Sequence, residues 1–184
     1  MTLLVLGLFI FIAIHLFPAF QSRRTALIER LGELKYKGLF SLVSLASFAL
    51  IVIGKANAPF IDVWQAPQML AVVTKLLMLP AMILLVAAYV PSNFKRKIRH
   101  PMLIAVKVWA IGHLLINGDL ASIILFGSFL IFAVLAMISA NKRMEWNKPK
   151  EQSVLMDVLV ILIGGAVYAA VGMHHLQLFG VPIM

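Results

Sequence analysis

The 184-residue sequence contains no cysteine. Without a thiol, the chain cannot form a disulfide bond, a thiolate zinc site, an iron–sulfur site or a cysteine nucleophile. A metal ion could be held only by histidine, methionine or carboxylate side chains. The chain has 5 histidines and 7 acidic residues, so few ligand sets are possible.

Charged residues are also scarce. They make up 12% of the chain, whereas soluble domains contain about 25%. Hydrophobic residues reach 62% and the mean hydropathy is +1.01, while soluble domains are only about 45–50% apolar. This composition excludes a water-soluble fold and indicates a membrane protein.

Six apolar runs divide the chain, and each is close to the roughly 20 residues that a helix needs to cross a membrane. Backbone amides find no water in lipid, so each run is predicted to be a helix. The runs are about Leu3–Phe20, Leu39–Ile53, Met69–Val90, Met102–Ile116, Leu120–Ala140 and Val154–Met173. We therefore expect an all-α fold, a polytopic bundle of about six transmembrane helices forming one domain over residues 1–184.

The basic residues predict the orientation of the chain. The net charge is +9, and most basic residues lie in the connections after the first, third and fifth runs. The positive-inside rule places these connections in the cytoplasm and both termini outside. We expect the basic residues to face anionic headgroups, so membrane lipids, and not nucleic acids, are the predicted partners. They are Arg23, Arg24, Arg30, Lys35, Lys37, Lys95, Arg96, Lys97, Arg99, Lys142, Arg143, Lys148 and Lys150.

Two histidines lie well inside apolar runs. His15 precedes Arg23 by eight residues, about 12 Å along a straight helix. His113 follows Arg99 by fourteen residues, about 21 Å by the same rise. Neutral imidazole is a good ligand for iron, and histidines from two helices commonly hold haem in a bundle. The alternative is that each histidine is hydrogen-bonded to a neighbouring helix as part of the packing.

Three further residues complete the predicted cofactor site. Lys107 lies six residues before His113 and could neutralise a haem propionate, although snorkelling to the interface also explains a lysine there. Arg99 and His100 stand at the start of the fourth run, where they could contact the polar end of a ligand or face headgroups. No catalytic residue is assigned, because the sequence contains no phosphate loop, dinucleotide fingerprint, zinc-protease helix or serine elbow.

Two segments resemble the signature of the NnrU family of bacterial membrane proteins. One extends from Arg99-His100-Pro101 to Asn117-Gly118-Asp119, and the other from His15-Leu16 to Tyr36-Lys37-Gly38. Together with the six-span plan, the resemblance covers nearly the whole chain. It implies a multi-pass protein of the bacterial inner membrane with periplasmic termini, and the family is named from a link to denitrification and nitric oxide metabolism.

The NnrU family is similar to the 15-cis-zeta-carotene isomerases of plants and cyanobacteria, which are membrane enzymes that carry haem b. The histidines associated with haem in those relatives match His15 and His113. The resemblance thus implies haem b, with either redox-coupled isomerisation of a lipophilic polyene or nitric-oxide-related chemistry. The isomerases have a cysteine three positions before the second histidine, where this chain has Ala110, so a thiolate ligand is excluded at that position.

Two alternatives belong to other classes. One is a non-catalytic membrane scaffold or assembly factor, in which the histidines serve only in helix packing. The other is a membrane methyltransferase that uses S-adenosylmethionine, because the Arg-His-Pro motif also resembles one found in isoprenylcysteine and phospholipid methyltransferases. In this chain Ala105 holds the small position after that motif and residues 172–184 contain no acid, which places this alternative last.

Overall fold

The computed structural model describes residues 1–143 and 145–180, and these residues are nearly all helical. The described part of the chain contains no strand beyond one isolated β-bridge, so the expected all-α fold is confirmed. A short 3₁₀ turn, Phe17–Ala19, follows the first helix. The α-helices in chain order are α1 (Thr2–Leu16), α2 (Gln21–Leu31), α3 (Glu33–Ala56), α4 (Met69–Ala87), α5 (Asn93–Lys97), α6 (Pro101–Ile116), α7 (Leu120–Arg143), α8 (Val154–Met173) and α9 (His175–Phe179).

The chain divides into two compact units. The first unit comprises Met1–Val63 and Asp119–Ser128, and the second comprises Trp64–Gly118 and Phe129–Met184. The first turns of α7 therefore belong to the first unit and its remainder to the second.

In the first unit, α1 packs against α3 through glycines that allow close approach of the two backbones. A Cβ atom on Gly54 would meet the backbone nitrogen of Leu4, and one on Gly7 would lie 2.8 Å from the backbone nitrogen of Ile51. Leu4 and Ile51 are correspondingly among the buried apolar residues. Small residues at such contacts are typical of helix packing in lipid, where close van der Waals contact replaces the hydrophobic effect.

The ends of α1 and α3 differ from the sequence prediction. The first run was expected to be helical to Phe20, but α1 ends at Leu16 because Pro18 has no amide proton to continue the helix. The straight helix assumed in placing His15 relative to Arg23 is therefore interrupted. The second run was expected over residues 39–53, but α3 begins six residues earlier, at Glu33.

Two features explain the early start of α3. Gly32 at its N-cap has φ 82° and ψ 152°, a conformation that glycine adopts without strain. Glu33 and Lys37 then form an i,i+4 ion pair of 2.7 Å that supports the first polar turns. Hydropathy places the membrane-crossing part of a helix and not these charged turns, so the prediction was too short.

Asp119 connects the start of α7 to the end of α3 within the first unit. Its Oδ1 accepts a 3.0 Å hydrogen bond from the backbone amide of Ser122, so Asp119 caps the N-terminus of α7. The same oxygen accepts a 2.9 Å bond from Lys55 Nζ. Asp119 also forms the antiparallel bridge with Asp62. Burial acts to raise the pKa of Asp119, but the bonds from Ser122 and Lys55 outweigh it and hold the pKa below its ordinary value.

In the second unit, α4 packs against both α6 and α8. Gly112 of α6 faces Met78 and Thr74 of α4, and Gly164 of α8 lies so close to α4 that an added Cβ would be 2.7 Å from Ile83 Cα. The Thr74 hydroxyl donates a buried 2.8 Å hydrogen bond to the carbonyl of Gly112. A polar bond between helices is favourable here, because lipid offers the hydroxyl no alternative partner.

The second part of α7 runs antiparallel to α6. His100 contacts Asn141, Lys107 contacts Met137, and the Trp109 ring meets the Phe129 ring. Successive residues of α6 thus contact residues that lie progressively earlier in α7, as in a pair of antiparallel helices. The predicted start of the fourth run is confirmed within one residue, with Pro101 at the first helical position where a missing amide proton carries no penalty.

A polar clasp joins the start of α5 to the start of α8. The backbone amide of Asn93 donates to Asp157 Oδ1 at 2.8 Å, and the side-chain Nδ2 of Asn93 donates to Asp157 Oδ2 at 2.9 Å. The Asn93 side chain also exchanges bonds of 2.8 Å and 3.0 Å with the backbone of Gln152. Arg96 and Glu151 add an ion pair of 3.0 Å at the surface.

Five helical segments of the described chain are long and apolar enough to cross a membrane, and the first of them counts α1 together with the 3₁₀ turn that follows it. They are Thr2–Ala19, Glu33–Ala56, Met69–Ala87, Leu120–Arg143 and Val154–Met173. The helix α6 is apolar but has only 16 residues. The count of about six spans and the location of the termini outside the cytoplasm therefore stay predictions.

Candidate functional site

His15 lies in the last turn of α1, between aromatic side chains. Its Nδ1 is 2.7 Å from the carbonyl oxygen of Phe11, four residues earlier in the same helix. The Phe11 ring stacks on the imidazole with centroids 4.0 Å apart, and the Phe40 ring of α3 meets it edge to face at 5.3 Å. The helix of His15 and the packed α3 thus hold the imidazole in a defined orientation.

His113 has the same local arrangement in the last turn of α6. Its Nδ1 is 2.9 Å from the carbonyl oxygen of Trp109, and the two rings lie 5.2 Å apart with a tilt of 51°. Phe129 of α7 packs edge to face on Trp109 at 5.7 Å and supports the indole. The side chain of Asn117 closes the helix by donating a 2.9 Å bond to the His113 carbonyl.

Each imidazole makes the same kind of hydrogen bond, and this bond determines which ring nitrogen carries the proton. A carbonyl oxygen can only accept, so Nδ1 of His15 and of His113 must carry the proton. In a neutral imidazole the lone pair then resides on Nε2, which is the atom that ligates a metal. Histidines that bind metals in proteins usually donate their other ring proton to a carbonyl or carboxylate in this manner.

The two histidines belong to different units, His15 to the first and His113 to the second. Each has the donor chemistry that an iron ligand requires within its own unit. Their joint role as ligands of one cofactor stays a prediction.

The other predicted site residues lie along α6 or just before it. His100 precedes the first turn, and its Nε2 donates to Asn141 Oδ1 at 2.9 Å. Arg99 is half-buried beside it. Lys107 lies near the middle of α6, where Nζ donates to Met137 Sδ at 3.5 Å. A thioether is a weak acceptor without charge, so this contact does not neutralise the ammonium group.

Sequence reasoning missed the residues that support His113. The Thr74 hydroxyl donates to the carbonyl of Gly112, the residue before His113. The Trp109 ring lies beside the imidazole, and Phe129 packs on Trp109. A signal for Thr74 was present, because a hydroxyl in the middle of an apolar helix commonly bonds to a neighbouring helix. Nothing in the sequence paired Phe129 with Trp109.

Within residues 1–143 and 145–180, no three histidine, aspartate or glutamate side chains come together in a way that could hold a metal ion. Haem differs from a single ion in this respect, because the porphyrin supplies four ligands and the protein needs to supply only one or two. A lone histidine within either unit therefore matches the protein ligand of haem, whereas an isolated ion needs a cluster of side chains.

An apolar groove of about 340 Å³ lies in the first unit between α1 and the first turns of α7. Its lining is almost entirely aliphatic and aromatic, and His15 is not among the lining residues. The lining residues are Val5, Leu8, Phe9, Ile12, Ala13, Ile124 and Ser128.

These helices, apolar along their length, with charge concentrated in the connections between them, define a multi-pass helical membrane protein. The sequence model of the NnrU protein family matches residues 3–183, nearly the whole chain, and the protein belongs to this family. Comparisons with curated proteins and with solved structures found no match.

Proposed function

We propose that this NnrU-family protein binds haem b in the bacterial inner membrane, with His15 and His113 as iron ligands. The observation that carries the proposal is the hydrogen bond from each Nδ1 to the carbonyl four residues earlier. This bond leaves the Nε2 lone pair as the donor in both residues. Aromatic side chains lie beside both imidazoles, Phe11 and Phe40 beside His15 and Trp109 beside His113, and offer apolar surroundings for a porphyrin.

The bond also bears on the packing alternative. A histidine that acts as packing glue hydrogen-bonds to a second helix, through its ring proton or through the lone pair of its other ring nitrogen. Here the ring proton of each histidine goes to the backbone of its own helix, so this proton does not tie two helices together. A protonation state fixed within one helix is the arrangement that a metal ligand needs, and we therefore favour ligation over packing.

Three residues of the second unit are proposed to assist binding. Lys107 is paired with a neutral sulfur in the middle of α6, and a carboxylate such as a haem propionate would supply the missing negative charge. Arg99 and His100 lie at the start of α6, where they can donate to the polar end of the cofactor. Their role is to bind and orient, and no proton transfer is assigned to them.

The chemistry that haem supplies when bound is one-electron transfer at iron and the binding of small ligands such as nitric oxide. Ala110 is completely buried one turn before His113. A methyl group therefore stands where the similar isomerases have a cysteine, and no residue of this chain can supply a thiolate. For this reason we propose nitric-oxide-related chemistry first and isomerisation of a lipophilic polyene second.

The test begins with the purified full-length protein in detergent, expressed with haem supplied. We expect a Soret absorption band, a dithionite-reduced spectrum typical of b-type haem and about one haem per chain by pyridine haemochrome. His15→Ala and His113→Ala should each lower the haem content or shift the band, and the double variant should lose it. Addition of nitric oxide to the reduced protein should shift the Soret band.

The matched control is His174→Ala, which removes an exposed histidine at the end of α8. This variant should retain the wild-type spectrum. A Soret band that persists in the double variant would show that other residues bind the haem. If the protein folds with haem supplied but contains none, the proposal is wrong and the scaffold interpretation is favoured.

A further inference from the structure

The segment between α1 and α3 is the most basic exposed part of the first unit. In α2 the side chains of Arg23, Arg24 and Arg30 are all exposed. None of the three forms an ion pair with another described residue, since the nearby Glu33 is bonded to Lys37 at 2.7 Å. Glu29 in the same helix and the nearby Glu33 offset part of this charge, but α2 keeps a net positive charge without a close ion pair among the described residues.

Tyr36 of α3 lies against this segment and is unusual in its hydrogen bonding. Its side chain is only 8% exposed, yet its hydroxyl has no hydrogen-bond partner among the described residues. The Arg24 guanidinium carbon lies 5.9 Å from the centroid of the Tyr36 ring. A buried hydroxyl without a partner is costly, and one beside an unpaired cation is suited to a ligand that carries both charge and acceptor oxygens.

Large apolar side chains are exposed around the same place. Phe20, just before α2, is 58% exposed, and Leu34, at the start of α3, is 85% exposed. The Arg23 guanidinium lies 5.8 Å over the Phe20 ring. Exposed apolar side chains interleaved with arginines are the pattern of a segment that rests at the membrane surface, with side chains in the acyl region and cations at the headgroups.

We propose that Arg24 and Tyr36 form a binding site for the phosphate of an anionic phospholipid at the membrane surface where α2 lies. The phosphate oxygens accept from the arginine guanidinium and from the tyrosine hydroxyl. Phe20 and Leu34 contact the acyl chains. A diester phosphate fits this site because its single negative charge matches one unpaired arginine and its oxygens satisfy the buried hydroxyl.

The test measures lipid binding by the purified full-length protein, using native mass spectrometry with added phosphatidylglycerol or phosphatidylcholine. The wild type should bind phosphatidylglycerol about tenfold more tightly than phosphatidylcholine. Tyr36→Phe keeps the ring and removes only the hydroxyl, and Arg24→Gln removes the charge. Each should weaken phosphatidylglycerol binding about tenfold, the size expected for one hydrogen bond to a charged group.

The matched control is Arg30→Gln, which removes the same charge from the same helix without contacting Tyr36. It should change phosphatidylglycerol binding by less than about twofold. Equal losses in Arg24→Gln and Arg30→Gln, or wild-type binding by Tyr36→Phe, would overturn the site and leave only diffuse attraction to the membrane. If Arg24→Gln does not fold, Tyr36→Phe alone decides the result.

A competition experiment separates a lipid from a soluble anion. Inorganic phosphate at millimolar concentration should leave phosphatidylglycerol bound, because it lacks acyl chains to contact Phe20 and Leu34. Displacement of the lipid by inorganic phosphate would overturn the assignment to a headgroup. The readout is bound lipid mass and not haem absorbance, so its result is independent of the proposed cofactor.

Discussion

The Thr74 hydroxyl of α4 donates a 2.8 Å hydrogen bond to the carbonyl of Gly112, the residue immediately before His113 in α6. The bond is buried, and it joins two helices at a glycine that side chains of α4, including those of Thr74 and Met78, pack against. It fixes the position of α6 along α4 at the turn that carries the imidazole. Thr74, which lies 39 positions before His113 in the chain, therefore helps to position His113.

We expect Thr74→Val to destabilise the protein by about 0.5–1.5 kcal/mol, because it removes this hydrogen bond while keeping the volume of the side chain nearly constant. Thermal unfolding in detergent measures the loss. Thr74→Ser retains the hydroxyl and should lie closer to the wild type. A Thr74→Val variant as stable as the wild type would show that the bond contributes nothing to the packing of α4 on α6.

Adjacent glycines in α8 should respond oppositely to alanine. A Cβ on Gly164 would be 2.7 Å from the backbone Cα of Ile83, which cannot move away without displacing α4. A Cβ on Gly165 would meet no atom of another described segment within 4 Å. We expect Gly164→Ala to cost about 1–3 kcal/mol by overpacking. Gly165→Ala should be neutral or stabilising by up to about 1 kcal/mol, since alanine favours a helix more than glycine does.

Melting temperatures of the two alanine variants in one detergent provide the comparison. Each variant adds one methyl group to the same helix, so differences in lipid or detergent binding largely cancel. Equal melting temperatures would contradict the close contact between α8 and α4.

The ion pair of Asp119 with Lys55 should make stability depend on pH in the acid range. The pKa of Asp119 lies below its ordinary value in the folded protein, so the folded state favours the charged form. Its contribution is present above the unfolded pKa of about 3.9 and is lost as the pH falls through the lower, folded pKa. We therefore expect the melting temperature to fall as the pH decreases below about 4.

Asp119→Asn should remove much of that acid dependence and lower stability at pH 7, because Lys55 then loses its charged partner. Lys55→Gln should have a similar effect while leaving the bond from the Ser122 amide in place. Melting temperatures measured between pH 3 and 7 test both variants. If the melting temperature of Asp119→Asn falls at acid pH as much as that of the wild type, other carboxylates cause the pH dependence.

The clasp between Asn93 and Asp157 should hold the connection before α6 against α8. Asn93→Ala removes three side-chain hydrogen bonds, and we expect a loss of about 1–3 kcal/mol. Trypsin should also cleave faster at Lys95 and Lys97. Arg96→Gln is the control, because its ion pair with Glu151 is exposed and contributes at most about 1 kcal/mol.

The apolar runs predicted the helices α4, α6, α7 and α8 to within three residues at each end, because hydropathy in a membrane protein reports directly on the segment in lipid. The same signal missed α2, α5 and α9, which are short, and it shortened α3. The charged first turns of α3 contain the Glu33–Lys37 ion pair, and the basic helix α2 packs against α3, but neither feature raises hydropathy.

For the candidate site, the sequence predicted the residue types but not their surroundings. His15 and His113 stood out because an imidazole is rare inside an apolar run. Their bonds to Phe11 and Trp109 follow from helix geometry, since residues four apart face one another. The contacts of Thr74 with Gly112 and of Asn93 with Asp157 join residues 38 and 64 positions apart, and no local pattern encodes such pairs.

The length of α6 has a consequence for access to His113. Its 16 residues rise about 24 Å, less than the roughly 30 Å of a hydrocarbon core. Lipid around a short helix thins, so water and headgroups come closer to its ends. His113 is three residues from the end of α6 and is followed by the polar Asn117. If α6 crosses the membrane as the sequence predicts, a small polar molecule has a shorter route from the aqueous phase to this imidazole than a full-length span would allow.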